Sequence, residues 1–551
     1  MKQIEKKIRG KEIIILCGIT AIAVACLPLL QEGLLAGHDI WYHLLRIENL
    51  KIGIEEGMIP AKVGPMYLNY HGYAVSLCYP DIFLYFPAAL RVLGVGIMDS
   101  YKCYLAVTVI LCYLTTYYCG RKITKDSYAA AVAAILYTLC QYHICTLHTR
   151  AAVGEIQAFV FFPLVIYGLY DLIFEDFQKP FVMGLGFWGL MMCHSISLAI
   201  SLCISVVAVL SQWKRVLVSW KKMRRLLWTA ALTLLASIGF WLPFLEQLLS
   251  NTFYFSHPWA DVTVMALDLK RLFSVNRDIY NFGIIFFAFL SLRFFCFKKI
   301  SGDEKRPFID WFLLGGALLL WATTKYFPWG ILKSILNSIQ FPFRLYSPAA
   351  VFLSIGIAMM LVRIWGGKKS ILVTTVFLSL FALAFYHYDT TEKVFLENDY
   401  YDYAWNSFNV YYKEWLPDNV DIELLKEERV IRNADGSETE AVTEKSGMVR
   451  FCPKNGVSYY DIPLVWYKGY CAYTLLADGT RRELDVVESD YNGLLRIMAE
   501  EEVGDEIVVY YGGTKIQSVA GALNGLVLAS LAGFGVRRRI LDGKREETSG
   551  I

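Results

Sequence analysis

The sequence predicts a polytopic α-helical membrane protein of about twelve transmembrane helices with one small extracytoplasmic β-rich domain. Three observations predict it. Of 551 residues, 56% are apolar and 15% aromatic, with a mean hydropathy of +0.42. Charged residues make up only 19%, against about 25% in an ordinary soluble protein. The apolar surplus is gathered into long blocks poor in charge, as crossing about 30 Å of hydrocarbon requires, and one polar stretch, 389–515, is large enough to fold alone. This composition excludes a disordered chain. The 53 Lys+Arg against 50 Asp+Glu argue against a nucleic-acid partner, because the balance is near neutral and the basic residues fall in short clusters between apolar blocks.

Taken in order, Lys2, Lys6, Lys7, Arg9 and Lys11 precede an apolar run from Glu12 to Leu30. Ala-Val-Ala-Cys at 23–26 is a poor processing site and the run continues past it, so the first span reads as uncleaved. Basic clusters follow at Arg121/Lys122/Lys125, Lys214 to Arg225, Lys298 to Arg306, Arg363/Lys368/Lys369 and Arg537 to Arg545. Basic residues concentrate in cytoplasmic loops. That rule sets spans at 12–30, 100–120, 127–142, 156–174, 181–193, 196–212, 226–244, 281–297, 308–322, 345–363, 370–387 and 517–536, with both termini cytoplasmic.

Residues 81–97 (DIFLYFPAALRVLGVGI) are also apolar, but they contain Asp81, Pro87 and Arg91, and counting them as a crossing would put the Arg121 cluster outside. They read instead as a helix in the outer interface, within a long first external loop, 31–99. Mid-span stretches carry no run of ionisable residues, which argues against an ion-coupled transporter.

The expected organisation is therefore a transmembrane domain over 1–388, an extracytoplasmic β-sandwich-like domain over 389–515, and a final helix with a cytoplasmic tail over 516–551. The polar block opens with YDYAWNSFNVYYKEWLP. Short alternating runs follow, among them SYYDIPLVWYKGY and DEIVVYYGGT, with a hairpin signal at Asp478-Gly479. Of thirteen cysteines, eleven precede residue 300, in or beside apolar segments where Cys serves as a small hydrophobe. Cys452 and Cys471 lie in the polar block, and their pairing is open.

All eight histidines (His38, His43, His71, His143, His148, His194, His257, His387) fall in or beside predicted external loops. In GHDIWYHLLRIENL, Asp39, His43 and Arg46 stand at i, i+4 and i+7, one face of a helix. Asp39 could take a proton from a hydroxyl, and His43 could bind a phosphate or a metal. A solvated amphipathic helix explains the same pattern. In HICTLHTRAAVGEIQAF, Glu155 begins a long apolar run. There the helix dipole alone would favour it by about 0.3–1 kcal/mol, while Arg150 and His148 could face a phosphate. In SIQFPFRLYSPAA, Arg344 stands between two prolines, placed either to clamp a phosphate or to snorkel.

These segments carry a resemblance. GHDIWYHLLRIENLKIG, IPAKVGPMYLNYHGYAVSLCYPDIFLYFPAAL, LYTLCQYHICTLHTRAAVGEIQAFVFFPLVIYGLYDL and GLMMCHSISLAIS resemble bacterial membrane proteins called 6-pyruvoyl-tetrahydropterin-synthase-related. QFPFRL, EWLP, IPLVWYKGY and the terminal span are similar to the YfhO family. Both families resemble the GT-C glycosyltransferase superfamily. The resemblance is specific over residues 37–200 and looser beyond. The pterin name carries no function here, since a pterin synthase is a soluble enzyme with a three-histidine zinc site.

GT-C membership implies a catalytic Asp on the first external loop, which maps onto Asp39, and a second acid on the next, which maps onto Glu155. It further implies a polyprenyl-phosphate-linked sugar donor and an envelope polysaccharide or glycolipid acceptor at the outer face of the cytoplasmic membrane. His43, Arg46, His148, Arg150 and Arg344 would then bind substrate. Asp39 is followed by Ile40 rather than a second acid, so a divalent cation held by Asp39, His43 and Glu155 stays open. Two other readings stay open as well: a non-catalytic envelope-assembly scaffold, and a lipid-linked glycan flippase or other transporter.

Overall fold

A computed structural model describes residues 2–257, 260–273, 281–296, 300, 303–365, 368–387, 394–395, 408, 410, 413–427, 429–499 and 503–549. The opening of the polar block, 388–393 and 396–407, lies outside the described residues. The chain divides into two compact units, Met1–Lys51 with Asp81–Thr229 and Pro258–Asn406, and Ile52–Pro80 with Ala230–His257 and Ser407–Ile551.

The first unit is mainly helical, and the second adds the helices Ile238–Ser250 and Lys515–Ser549. Helices occupy all twelve segments marked by apolar runs, but only five in the described chain are long and apolar enough to cross a bilayer. They are Gly10–Leu30, Ile97–Thr124, Val153–Phe174, Pro342–Ile364 and Lys515–Gly533. Two bent pairs raise the number to seven if each is one span: Ser127–Thr138 with Gln141–Arg150, bent by 42°, and Trp220–Ala236 with Ile238–Ser250, bent by 71°. Others fall short of the roughly 20 residues a crossing needs, such as Pro180–Met191 at 12 residues and Ile284–Phe295 at 12. The helical stretch Ile82–Val92 is also too short, at about 1.5 Å of rise per residue.

Burial shows what each long helix faces. The apolar window of Val153–Phe174 is 100% buried and that of Pro342–Ile364 is 94% buried, so these two form the centre of the unit. Gly10–Leu30 is 28% buried, and so much exposed apolar surface on one helix fits lipid, not water. Ser127–Thr138 begins at Asp126, whose Oδ1 accepts from the backbone N–H groups of Tyr128 (2.8 Å) and Ala129 (3.1 Å), the usual N-cap. Its run of alanines lets Ile97–Thr124 approach until a Cβ at Gly120 would lie 3.3 Å from the Ala130 Cα.

The second unit contains two five-stranded antiparallel sheets. One runs Val486–Glu488, Leu494–Met498, Tyr459–Val465, Ile431–Asn433, Glu438–Thr439; the other runs Val442–Thr443, Val449–Phe451, Ile507–Tyr511, Tyr470–Leu475, Arg481–Leu484. Inward residues from both, including Tyr460, Ile462, Leu495, Ile497, Ile507 and Val509, form one core. The Asp478-Gly479 signal closes a hairpin as its chemistry requires. Gly479 has φ +81°, and Thr480 N–H donates to Asp478 Oδ1 at 2.8 Å.

Part of the first loop packs onto this sandwich, with Val465 N–H donating to the His71 carbonyl (2.8 Å) and Trp415 N–H to the Tyr73 hydroxyl (3.0 Å). The helix Ile238–Ser250 packs against the start of the C-terminal helix, where Gly239 N–H donates to Asn524 Oδ1 at 3.1 Å. Cys452 and Cys471 are both free thiols.

Candidate active site

The site lies within the helical unit and is assembled by backbone before side chains. The chain leaving the first helix runs beside residues 149–150. His38 N–H donates to the Thr149 carbonyl and Asp39 N–H to the Arg150 carbonyl, each at 3.0 Å. Gly37 permits this approach: a Cβ there would meet the Ala151 Cβ at 2.6 Å and the His148 carbonyl at 3.1 Å. On the other side, Thr146–Arg150 is a single turn of π-helix, and Ala151 takes φ +50°. Wide turns of this kind often mark functional positions. Asp39 is half-buried, and its charge acts on both Arg150 and the phenol of Tyr101.

Glu155 is buried (3% exposed) at the start of the most enclosed helix. Arg150 grips it with two parallel bonds, Nη1 to Oε2 at 2.7 Å and Nη2 to Oε1 at 2.8 Å. Arg344 Nε donates to Oε1 at 2.9 Å and the Tyr142 hydroxyl to Oε2 at 2.7 Å. A carboxylate offers about four lone pairs, and all are taken. Arg344 is itself fixed, its Nη1 donating to the Ile339 carbonyl (2.9 Å) and Gln340 Oε1 (2.8 Å). The Pro342–Leu345 turn, with proline at its start, sets that geometry. The second terminal nitrogen of Arg344 donates to nothing among the described residues.

The histidines divide. His148 Nε2 lies 3.0 Å from the Ala25 carbonyl, so His148 ties the loop to the end of the first helix. His43 is buried, with Val153 N–H 3.4 Å from Nε2 and Arg46 Nη1 3.5 Å from Nδ1. Burial, then Arg46 and His194, hold it well below the usual imidazole value, so it is a neutral ring rather than a cation. Arg46 is buried too, and its charge acts on Tyr104, whose hydroxyl accepts from Gln157 Nε2.

His194, noted in the sequence among the external histidines but given no role in the site, stands close to Arg344, Glu155 and Arg150. Burial, then Arg344, push it down to about 3. Its Nδ1 accepts from Ser197 N–H at 3.3 Å, which leaves the proton on Nε2. Tyr142 and Tyr101 were likewise missed. The Tyr101 hydroxyl is buried with no hydrogen-bond partner among the described residues.

The site fits a metal poorly. The lone pairs of Glu155 are filled, and no group of three His, Cys, Asp or Glu side chains suited to a metal occurs among the described residues.

Fold and site together define a helical, multi-pass membrane protein whose buried carboxylate is shared by two arginines next to a half-buried aspartate. No protein-family model matches the chain, and no curated protein matches it. Among solved structures, it is similar to the arabinofuranosyltransferase AftD from mycobacteria, with a TM-score of 0.44 and 14% identity over 68% of this chain and 26% of that one. It is also similar to the Archaeoglobus fulgidus oligosaccharyltransferase. In the apo form the TM-score is 0.34 at 14% identity, over 74% of this chain and 56% of that one. In complex with Zn and sulfate it is 0.38 at 12%, over 74% and 57%. The chain thus spans about a quarter of the first of these proteins and just over half of the second.

Proposed function

We propose that this protein is an inverting membrane glycosyltransferase. It would move a sugar from a polyprenyl-phosphate donor to an envelope polysaccharide or glycolipid at the outer face of the cytoplasmic membrane. One observation carries the reading: two fixed guanidinium groups share a single buried carboxylate, and a half-buried aspartate hydrogen-bonds through its backbone to the same loop. Arg150 and Arg344 bring two cations to the Glu155 carboxylate, with the charge of Asp39 acting on Arg150, so the Arg344 side of the pair is the one suited to a phosphate. The sequence resemblance over residues 37–200 points the same way.

In this mechanism Asp39 accepts the proton of the acceptor hydroxyl as its oxygen attacks the anomeric carbon. The bond from that carbon to the phosphate oxygen breaks on the opposite face, and its electron pair leaves with the polyprenyl phosphate. Negative charge grows on the leaving oxygen, where Arg344, with its uncommitted nitrogen, and Arg150 stabilise it. Donors fixed before the reaction need no reorganisation during it. Glu155 is a positioning residue that holds both arginines. With its lone pairs filled, it is not the base.

The test is a mass profile of envelope glycans and lipid-linked sugars in a deletion strain carrying wild type or Asp39→Asn, each confirmed in the membrane. The expected result is a sugar restored only by wild type, with the lipid-linked donor accumulating in the variant. Equal restoration by both would overturn the assignment and favour a scaffold or a transporter.

A further inference from the structure

The sandwich unit carries a guanidinium with no counter-ion among the described residues. Arg91, Arg150, Arg293 and Arg496 each hold a carboxylate. Arg429 holds none among the described residues. Its Nη1 donates to Thr443 Oγ1 at 2.9 Å and its Nη2 reaches the Pro463 carbonyl only at 3.4 Å, while its buried Nε has no partner. Burial pushes it down to about 10, and the groups that act against this are two phenols, Tyr70 and Tyr470.

A strained turn brings one of those phenols into place. Leu68, Asn69 and Tyr70 take φ of 56°, 53° and 62° in succession, before Gly72 at 82°. Non-glycine residues held in this region cost of order 1 kcal/mol or more each, and such strain gathers at ligand sites. The turn is closed by His71 Nδ1, 2.7 Å from the Leu68 carbonyl, and pinned to the sheet by Val465 N–H on the His71 carbonyl. The result sets the Tyr70 ring, 38% exposed, with its centroid 6.0 Å from the Arg429 Cζ. The Tyr470 hydroxyl lies 3.2 Å from where a Gly72 Cβ would stand. Neither it nor His71 Nε2 makes a hydrogen bond among the described residues. A cation with no carboxylate partner among the described residues, a phenol donor and an exposed aromatic face converge here.

We propose that this cluster is a binding subsite for an acidic sugar: the ring packs on Tyr70, and its carboxylate or phosphate takes Arg429 and the Tyr470 hydroxyl. That the bound sugar belongs to the acceptor glycan rests on the transferase reading; the binding itself does not.

The test is titration calorimetry on the full-length protein in detergent with trigalacturonate, glucose 1-phosphate and neutral maltotriose. An acidic probe binds while maltotriose does not, and whichever acidic probe binds identifies carboxylate or phosphate. Charged hydrogen bonds of this kind are worth about 10- to 100-fold in affinity, so Arg429→Met weakens binding by that factor. Tyr70→Ala weakens it several-fold. Arg429→Met removes a buried charge that has no carboxylate among the described residues, at the cost of one hydrogen bond to Thr443, so it melts close to wild type. If it nevertheless fails to fold, Arg429→Lys and Tyr70→Ala decide, and unchanged affinity in both overturns the proposal. Binding of no acidic probe at millimolar concentration, or equal binding of the neutral one, also overturns it. Asp39→Asn binds like wild type, so failure of the transferase reading and failure of this one are separable.

Discussion

A carboxylate on a helix enclosed along its length must be neutralised where it stands, and Glu155 is, by Arg150, Arg344 and Tyr142. Glu155→Gln strands two guanidinium groups and should lower stability by about 3–5 kcal/mol. Tyr142→Phe removes one charged hydrogen bond and should cost about 1–3 kcal/mol. Denaturant titration of purified variants in detergent checks the order; equal losses would mean that the arginines are not held by the carboxylate. Gly37→Ala tests the loop approach. Its new Cβ would lie 2.6 Å from the Ala151 Cβ, so Asp39 shifts and turnover should fall about tenfold or more, since small misplacements are costly. Unchanged turnover would show that the Asp39 position tolerates the displacement. At this scale the sequence marks Asp39, Arg150, Glu155 and Arg344 as chemically able but not as neighbours. Their meeting depends on a π-turn and on Ala151 in the left-handed region, and neither has a compositional signature. Tyr142 was illegible for the same reason, because the helix break between it and Glu155 is what brings the two together.

At the scale of elements, the helical stretch Ile82–Val92 is tied to the helix Ile40–Glu55 by Arg91 Nε on Glu48 Oε1 at 2.5 Å, both side chains largely buried. Arg91→Met leaves Glu48 buried without its cation and should cost about 3 kcal/mol. Adding Glu48→Gln should recover part of that loss, whereas strictly additive losses in the double-mutant cycle would show that the pair is not coupled. Elements were the most legible scale. Apolar runs located twelve helical segments, because burial in lipid or core is written in composition. The Asp478-Gly479 hairpin was readable because only a few residues adopt its backbone. Crossing was less legible, since runs that look alike in hydropathy differ in helix length and in where they bend.

Across the whole molecule, the expectation that basic clusters stay cytoplasmic puts the sandwich outside, and Cys452, free and exposed, can test it. In intact cells a membrane-impermeant maleimide should label wild type more than Cys452→Ser. Cys452-dependent labelling only after permeabilisation would reverse the orientation. Acid should weaken the sandwich unit. Burial, with Arg429 and Arg432 adding to it, holds His71 at about 4, against an ordinary 6.5 in the unfolded chain. Below about pH 6.5 the unfolded state gains a proton that the folded state does not, so stability is full above 6.5 and falls as pH drops toward 4, by up to about 3 kcal/mol. His71→Asn should flatten that slope; an unchanged slope would assign the acid sensitivity elsewhere.

The central claim is that Asp39 is the base of a glycosyl transfer, and the most direct measurement is the single-turnover rate of purified wild type and Asp39→Asn with the lipid-linked donor and its acceptor. The account predicts a rate lower by about 10²- to 10⁴-fold with donor affinity unchanged. An Asp39→Asn protein that transfers at the wild-type rate would contradict it.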